Sequence, residues 1–375
     1  MARPFCTNDE FVRDFPELGA RGMMEKYGGD ERMYYRRKNS LTKKLGITIP
    51  SPIDAPEGYT IKGTSTLYDC ETGKPKIEWV KTTADKDQQD AIFKEVSEAM
   101  ASKLPRVKPT KAPKVSSSDL MACYIVSDHH LGMLSWAPET GQNYNIKIAE
   151  NILMQATQYL IDNDTACEKS TIAVLGDFMH YDSFESVTPQ NRNILDADGR
   201  YPKMVHAAVR TLRYLIEAAL RKHGSVHVII EIGNHDTSSS IFLMECLANV
   251  YENEPRITID KHPGHYHYFS HGKCLVGTHH GDGAKPNDLP LIMASDQAEL
   301  WGKTKYRYWW TGHLHTEKSK DFAGCRWEQF RVLGPQDAWA HNKGYRSERG
   351  MNAIILSKEY GEVRRHTVNP AMLNV

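Results

Sequence analysis

The stretch Met121–Gly132, MACYIVSDHHLG, joins an apolar run to an aspartate and two histidines. Met121 to Val126 carries no charge and reads as a strand buried on both faces. Asp128, His129 and His130 stand where that strand stops. The pattern recurs four times downstream. TIAVLGD ends on Asp177, VHVIIEIGNHD on Asn234, His235 and Asp236, KCLVGTHHGD on His279 and His280, and YRYWWTGHLH on His313 and His315. In the last of these, an extended backbone would aim both imidazoles the same way, because side chains alternate along a strand. Helical spacing fills the intervals: Val205, Val209, Leu212, Ile216 and Leu220 recur as one face of a helix. Strands of buried type alternating with helices predict an α/β domain from about Leu120 onward, its sheets covered on their outer faces.

In such sheets ligands collect at the carboxyl ends of the strands, so five strand ends can deliver these groups to one crevice. Singly, each signal is weak. A Gly-Asp pair is usually a turn, a strand-end histidine is usually just hydrogen-bonded, and GNHD also suits an Asx-type turn entering a helix. Five of them in order, each after an apolar run, argue against coincidence.

The ordered blocks SDHHLG, GDFMH, GNHD, THHGD and GHLH resemble the calcineurin-like metallophosphoesterase superfamily over about residues 120 to 315. The resemblance implies two packed β-sheets flanked by helices around a two-metal centre. Carried over by position, Asp128, His130 and His315 would hold one ion. Asn234, His280 and His313 would hold the other, and Asp177 would bridge them. His280 is preferred to His279 because it directly precedes Gly281–Asp282. Two divalent ions about 3.5–4 Å apart can clamp a phosphoryl group and lower the pKa of a water between them, which attacks phosphorus. Carboxylates and neutral imidazoles suit manganese first, with iron, zinc or nickel compatible. His235, beside the Asn234 ligand, can protonate the leaving oxygen, with Asp236 orienting its ring.

SDHHLG with GNHD resembles the DNA double-strand-break nucleases of this superfamily more than its protein phosphatases, which carry GDxxDRG and GNHE. Those nucleases have a C-terminal capping region, whereas here only about 60 residues follow His315 and the additional module is N-terminal. The combination looks like phosphoesterases encoded by bacteriophages. Proteins resembling this family are often dimeric, so a homodimer is an open expectation.

Residues 1–50 read as a helix-turn-helix-like basic module. Gly28–Gly29 breaks two helical runs, Asp30 is placed to cap the second, and Arg32, Arg36, Arg37 and Lys38 lie on it. A small bundle with a solvated basic face accounts for the same residues. Residues 51–100 read as a β-hairpin about ETGK plus a helix, and 101–119, ASKLPRVKPTKAPKVSSSD, as a Pro/Lys-rich linker before a catalytic domain over 120–375.

Composition narrows the classes. With 47 basic and 47 acidic residues the formal charge is zero, so attraction to nucleic acid must be local. Seven scattered cysteines without a C-x-x-C pair argue against a disulfide framework or a zinc-finger cage. The start MARPFCTNDEF lacks an apolar core segment and no run is long enough to span a bilayer, giving a cytoplasmic expectation without membrane association. The expected function is a phosphodiesterase acting on nucleic acid, DNA favoured. A nucleotide phosphodiesterase or phosphatase, and a DNA-binding regulator with an inactive catalytic domain, are the alternatives.

Further pocket residues are suggested by position. His129, His180 and Arg192 are candidates to meet substrate phosphate, each with an equally simple reading as a hydrogen-bonding or surface group. Trp339 and Tyr345, in GPQDAWAHNKGY, could stack a base or close a core.

Overall fold

The computed structural model describes residues 6–45, 59–68, 75–84, 106–115 and 117–373. Contacts divide the chain into two compact units, residues 1–98 and 99–375.

In the first unit, α1 (Asn8–Tyr27) opens on a reciprocal cap in which Glu10 N donates to Thr7 Oγ1 at 3.2 Å and Thr7 N to Glu10 Oε2 at 2.7 Å. Gly19, at φ 63°, divides it into two helical segments. After Gly28 and Gly29, α2 (Glu31–Leu45) begins with Arg32 N donating to Asp30 Oδ1 at 2.7 Å. Phe11, Phe15, Met23, Tyr34 and Leu41 form a small core between the helices. Two of the four basic residues expected to face phosphate turn onto that core instead. The Arg37 guanidinium sits 5.2 Å from the Phe11 ring and donates to the Cys6 carbonyl at 2.8 Å, and Lys38 Nζ lies 5.9 Å from the Phe15 ring. Arg32 and Arg36 are exposed. The hairpin is present as an antiparallel pair, β1 (Tyr59–Tyr68) and β2 (Pro75–Ala84). The helix expected after it lies outside the described residues.

The second unit opens with residues 106–115, read from the sequence as part of a linker. They lack regular structure but are tied down, since Val107 N donates to the Val250 carbonyl at 2.8 Å and Thr110 N to Glu254 Oε2 at 2.7 Å. The strands that follow are β3 (Ser117–Val126), β4 (Cys167–Val174), β5 (Ser225–Ile230), β6 (Ile257–Ile259), β7 (His267–His271) and β8 (Cys274–His279). Then come β9 (Tyr306–Thr311), β10 (Lys318–Phe322), β11 (Cys325–Gln329), β12 (Met351–Ser357) and β13 (Gly361–Val368). The described helices of this unit are α3 (Ala137–Thr140), α4 (Ile146–Asn163), α5 (Tyr201–Lys222), α6 (Thr237–Val250), α7 (Leu289–Asp296), α8 (Ala298–Lys303) and α9 (Ala338–Asn342). None of the described helices is long and apolar enough to cross a membrane.

Two sheets form, ordered β13-β12-β3-β4-β5-β6 and β10-β11-β9-β8-β7. Alternation along each strand explains how they pack. Met121, Cys123 and Ile125 join Ala173, Val276, Tyr308 and Trp310 in a core between the sheets. Their neighbours Ala122, Tyr124 and Val126 pack with the apolar stripes of α4, α5 and α6. In YRYWW the same alternation sends Trp310 inward and Trp309 outward, onto Leu289 and Met293 of α7. The architecture is therefore α/β, with two sheets flanked by helices. Strands β3, β4 and β5 are mutually parallel, as are β8 and β9, so within each sheet these carboxyl ends share an edge.

Candidate metal centre

Thr311–His315 leaves β9 without staying extended. His313 and His315 adopt φ 72° and 55°, so left-handed backbone, rather than strand alternation, aims their rings. Among the described residues six non-glycines have left-handed φ, and five of them are Asp128 (41°), His130 (46°), Asp177 (48°), His313 and His315; the sixth is Arg192 (58°). Such conformations cost about 1–3 kcal/mol each and persist where the surroundings over-determine them, chiefly at functional sites. The glycines of the blocks serve close approach. A Cβ on Gly233 would lie 2.1 Å from both Asp177 N and Asp177 Oδ1, and one on Gly312 would lie 2.3 Å from Asp128 Oδ2.

Among the described residues, two carboxylate-containing groups could each hold a cation: Asp128 with His130 and His315, and Asp177 with His280 and His313. In the first, His130 Nε2 and His315 Nε2 are 3.1 Å apart, and Asp128 Oδ1 is 3.6 Å from His315 Nε2. The Asp128 carboxylate accepts from His313 N at 2.9 Å, which ties the end of β3 to the end of β9. In the second, His280 Nε2 lies 3.0 Å from Asn234 Oδ1 and 3.3 Å from Asp177 Oδ2. His280 Nδ1 donates to the Leu175 carbonyl at 2.8 Å, which leaves Nε2 for a ligand. His279, the alternative weighed from the sequence, stacks on Tyr266 at 4.9 Å instead.

The charges suit a cation. Burial, reinforced by the neighbouring His235 and His315, holds His130 well below the ordinary imidazole range, and burial with His280 lowers His313. Burial also opposes charge on His280 and His315, but Asp177 and Asp128 respectively outweigh it and raise both. Burial would likewise raise Asp177, yet His280, His235 and His130 keep it ionised. Each group thus offers one neutral imidazole and one whose proton a metal would replace, and in the second the Asp177 carboxylate is held ionised. Oxygen and imidazole donors without thiolate fit a borderline divalent ion, so the residues fit the expected dinuclear centre.

His235 sits beside both groups. Its main-chain N–H donates to Asp177 Oδ1 at 2.8 Å, and its Nδ1 donates to the His180 carbonyl at 2.8 Å. The expectation that Asp236 orients this ring is corrected: the Asp236 carboxylate is fully buried and accepts from Asp177 N at 3.2 Å and Met179 N at 2.9 Å. It braces the GDF turn, and the missed orienting group is a carbonyl, which no side-chain pattern reveals. His180 does line the crevice, but as a partner of His130, with Nδ1 atoms 3.2 Å apart. Burial, then the charge of His235, lowers its pKa to about 3, so its Nδ1 can accept from His130. His129 is corrected more sharply. It is buried against Phe178 at 5.4 Å and is not among the crevice residues, because left-handed Asp128 and His130 on either side turn it into the core. Arg192 lines the crevice rim, exposed and ion-paired with Glu185.

The crevice over these groups has a volume of about 1350 Å³ and runs from His130, Asp177, Asn234, His313 and His315 to the loop around Trp339.

No family model matches the chain, and no curated protein matches it by sequence. Among solved structures the chain is similar to a Streptococcus pneumoniae protein described as a predicted phosphoesterase, with 10% identity over 68% of this chain and 99% of that one, at a TM-score of 0.29. It is similar to an archaeal phosphodiesterase, with 14% identity over 66% and 100% of the two chains, at 0.33. It is also similar to Vps29 from Entamoeba histolytica complexed with zinc, with 12% identity over 67% and 99%, at 0.29.

Proposed function

We propose that this chain is a dinuclear-metal phosphodiesterase that cleaves nucleic acid, DNA in preference. The observation that carries the reading is the convergence of five strand ends: His130, Asp177, Asn234, His313 and His315 line one crevice, Asp128 and His280 are buried beside them, and five of the seven adopt strained left-handed backbone. Two divalent cations, when bound, polarise the phosphoryl group and supply a nucleophilic water at neutral pH. Asp128, His130 and His315 would hold one and Asn234, His280 and His313 the other, with the Asp177 carboxylate 3.3 Å from His280 Nε2. His235, its Nδ1 proton committed to the His180 carbonyl, keeps Nε2 for proton transfer to the departing oxygen. Asp236 and His180 position the Asp177 turn and the His130 ring. A crevice of about 1350 Å³ exceeds the 300–1,000 Å³ or so usual for small-molecule sites, which favours a polymer over a free nucleotide. Exposed Arg32 and Arg36 of α2 would add phosphate contacts with little sequence preference.

The test is a manganese-supplemented assay of the full chain on single-stranded DNA, duplex DNA and bis(p-nitrophenyl) phosphate. Chelator-sensitive cleavage of DNA is expected, with binding that weakens as salt rises. Absence of hydrolysis on all three with manganese, iron, zinc or nickel would overturn the proposal and leave the regulator reading. Cleavage confined to bis(p-nitrophenyl) phosphate, with both DNAs left intact, would support the nucleotide-enzyme alternative.

A further inference from the structure

Of the large exposed hydrophobic side chains described on the second unit, four line one crevice. Trp339 is 61% exposed, Tyr345 55%, Leu314 54% and Ile194 90%, and all four line the crevice that contains the metal-holding groups. Neither aromatic closes a core, the simpler of the two readings their sequence allowed. Their rings stand 5.8 Å apart at 50°, and each residue keeps more than half of its surface open to solvent.

The loop that presents them is built rather than loose. Asp337 caps α9, its Oδ1 accepting from Ala340 N at 2.7 Å, and Tyr345 N donates to the Ala340 carbonyl at 3.1 Å. Arg346 then ties off the turn by donating to the His341 and Tyr345 carbonyls at 3.1 and 2.8 Å. Rigid aromatic rings presented at low entropic cost beside a phosphate-directed charge centre are what an unstacked nucleobase needs, since each base offers a π-face and its own phosphate lies a few bonds away.

We infer that Trp339 and Tyr345 form a stacking shelf for an unpaired base of the strand whose phosphodiester reaches the metal centre, which makes single-stranded DNA or a frayed end the favoured substrate. This deepens the phosphodiesterase reading and rests on it for the identity of the phosphate. A duplex keeps both faces of each base covered and so cannot use the shelf without unpairing.

The test compares a single-stranded thymidine oligomer with an abasic oligomer of equal length, binding the full-length chain in EDTA, read by fluorescence anisotropy. Backbone contacts, including any from α2, are common to both ligands, so their affinity ratio isolates the bases. The wild type should favour the base-bearing strand by about 5- to 150-fold, the range that alanine replacement of a stacking residue typically costs. Trp339→Ala and Tyr345→Ala together should bring that ratio towards one, while Trp339→Phe should keep most of it. Thermal melts check that the variants are folded; because both rings are largely exposed, their truncation leaves the cores intact. Equal affinity of the wild type for both oligomers would overturn the inference, as would a ratio untouched in a folded double variant. Thymidine monophosphate competing as strongly as the oligomer would overturn the assignment to a strand. A base-dependent ratio in a chain that cleaves no phosphodiester would support the shelf while removing the proposed activity.

Discussion

Replacing His235 by alanine should separate proton delivery from metal binding. The main-chain N–H of His235 holds Asp177 Oδ1 at 2.8 Å, and that bond survives loss of the side chain. The imidazole itself is fixed by the His180 carbonyl at 2.8 Å, and its centroid lies 4.7 Å from that of His130. It stands outside both carboxylate-containing groups, although it could join His130 and His180 in an all-histidine one. If its task is to protonate the leaving oxygen, His235→Ala should lower kcat on DNA by about 10²–10⁴-fold, or about 3–5 kcal/mol of barrier. Nitrophenolate departs without a proton, so turnover of bis(p-nitrophenyl) phosphate should fall by no more than about tenfold. Parallel kinetics on the two substrates, with metal content measured on the same preparations, decide the matter. Equal losses on both, or loss of bound metal, would refute the assignment.

Three other substitutions probe residues that surround or support this site. Asp177→Asn keeps the shape but removes the charge between the two groups; turnover should disappear and metal content should fall, and an active variant would remove Asp177 from the centre. Gly233→Ala places a methyl 2.1 Å from Asp177 N, so the turn must shift. Overpacking of this kind costs about 1–3 kcal/mol, and a lower Tm with less bound metal is expected, whereas wild-type values of both would contradict the close-approach argument. Glu231, fully buried, accepts from the Thr278 hydroxyl, and burial pushes its pKa from 4.5 up to about 7 against the charge of His267. The folded chain therefore binds this proton more tightly than the unfolded chain. The associated stability is fully present below pH 4.5 and is lost as pH rises to about 7. Glu231→Gln should be more stable than the wild type at pH 8 by up to about 3 kcal/mol, with the advantage vanishing near pH 4. Urea melts at both pH values measure this, and a pH-independent difference would contradict it.

The strand ends were legible because each couples two signals, an uncharged run and a short polar block, and those blocks do converge. Other strands left no such trace. Lys318–Phe322 forms an exposed edge and carries no apolar run, while Met351–Ser357 pairs antiparallel with β3 from far along the chain, a partnership that local sequence does not encode. Within the site, residue identity did not reveal backbone handedness. His130 reaches the crevice on a left-handed turn, Asp128 is left-handed but buried, and the two turns bury His129 between them. The carbonyls of Leu175 and His180 orient His280 and His235, and every residue has a carbonyl, so only the fold could single these out. Arg37 looked like its exposed neighbours, but its position on α2 sets it over Phe11.

In the proposed centre, Asp128, His130 and His315 would hold one cation and Asn234, His280 and His313 a second. Anomalous diffraction from crystals grown with manganese would locate both ions. Two peaks about 3.5–4 Å apart beside the Asp177 carboxylate are expected. A single peak, or none at these seven side chains under saturating manganese, would contradict this centre.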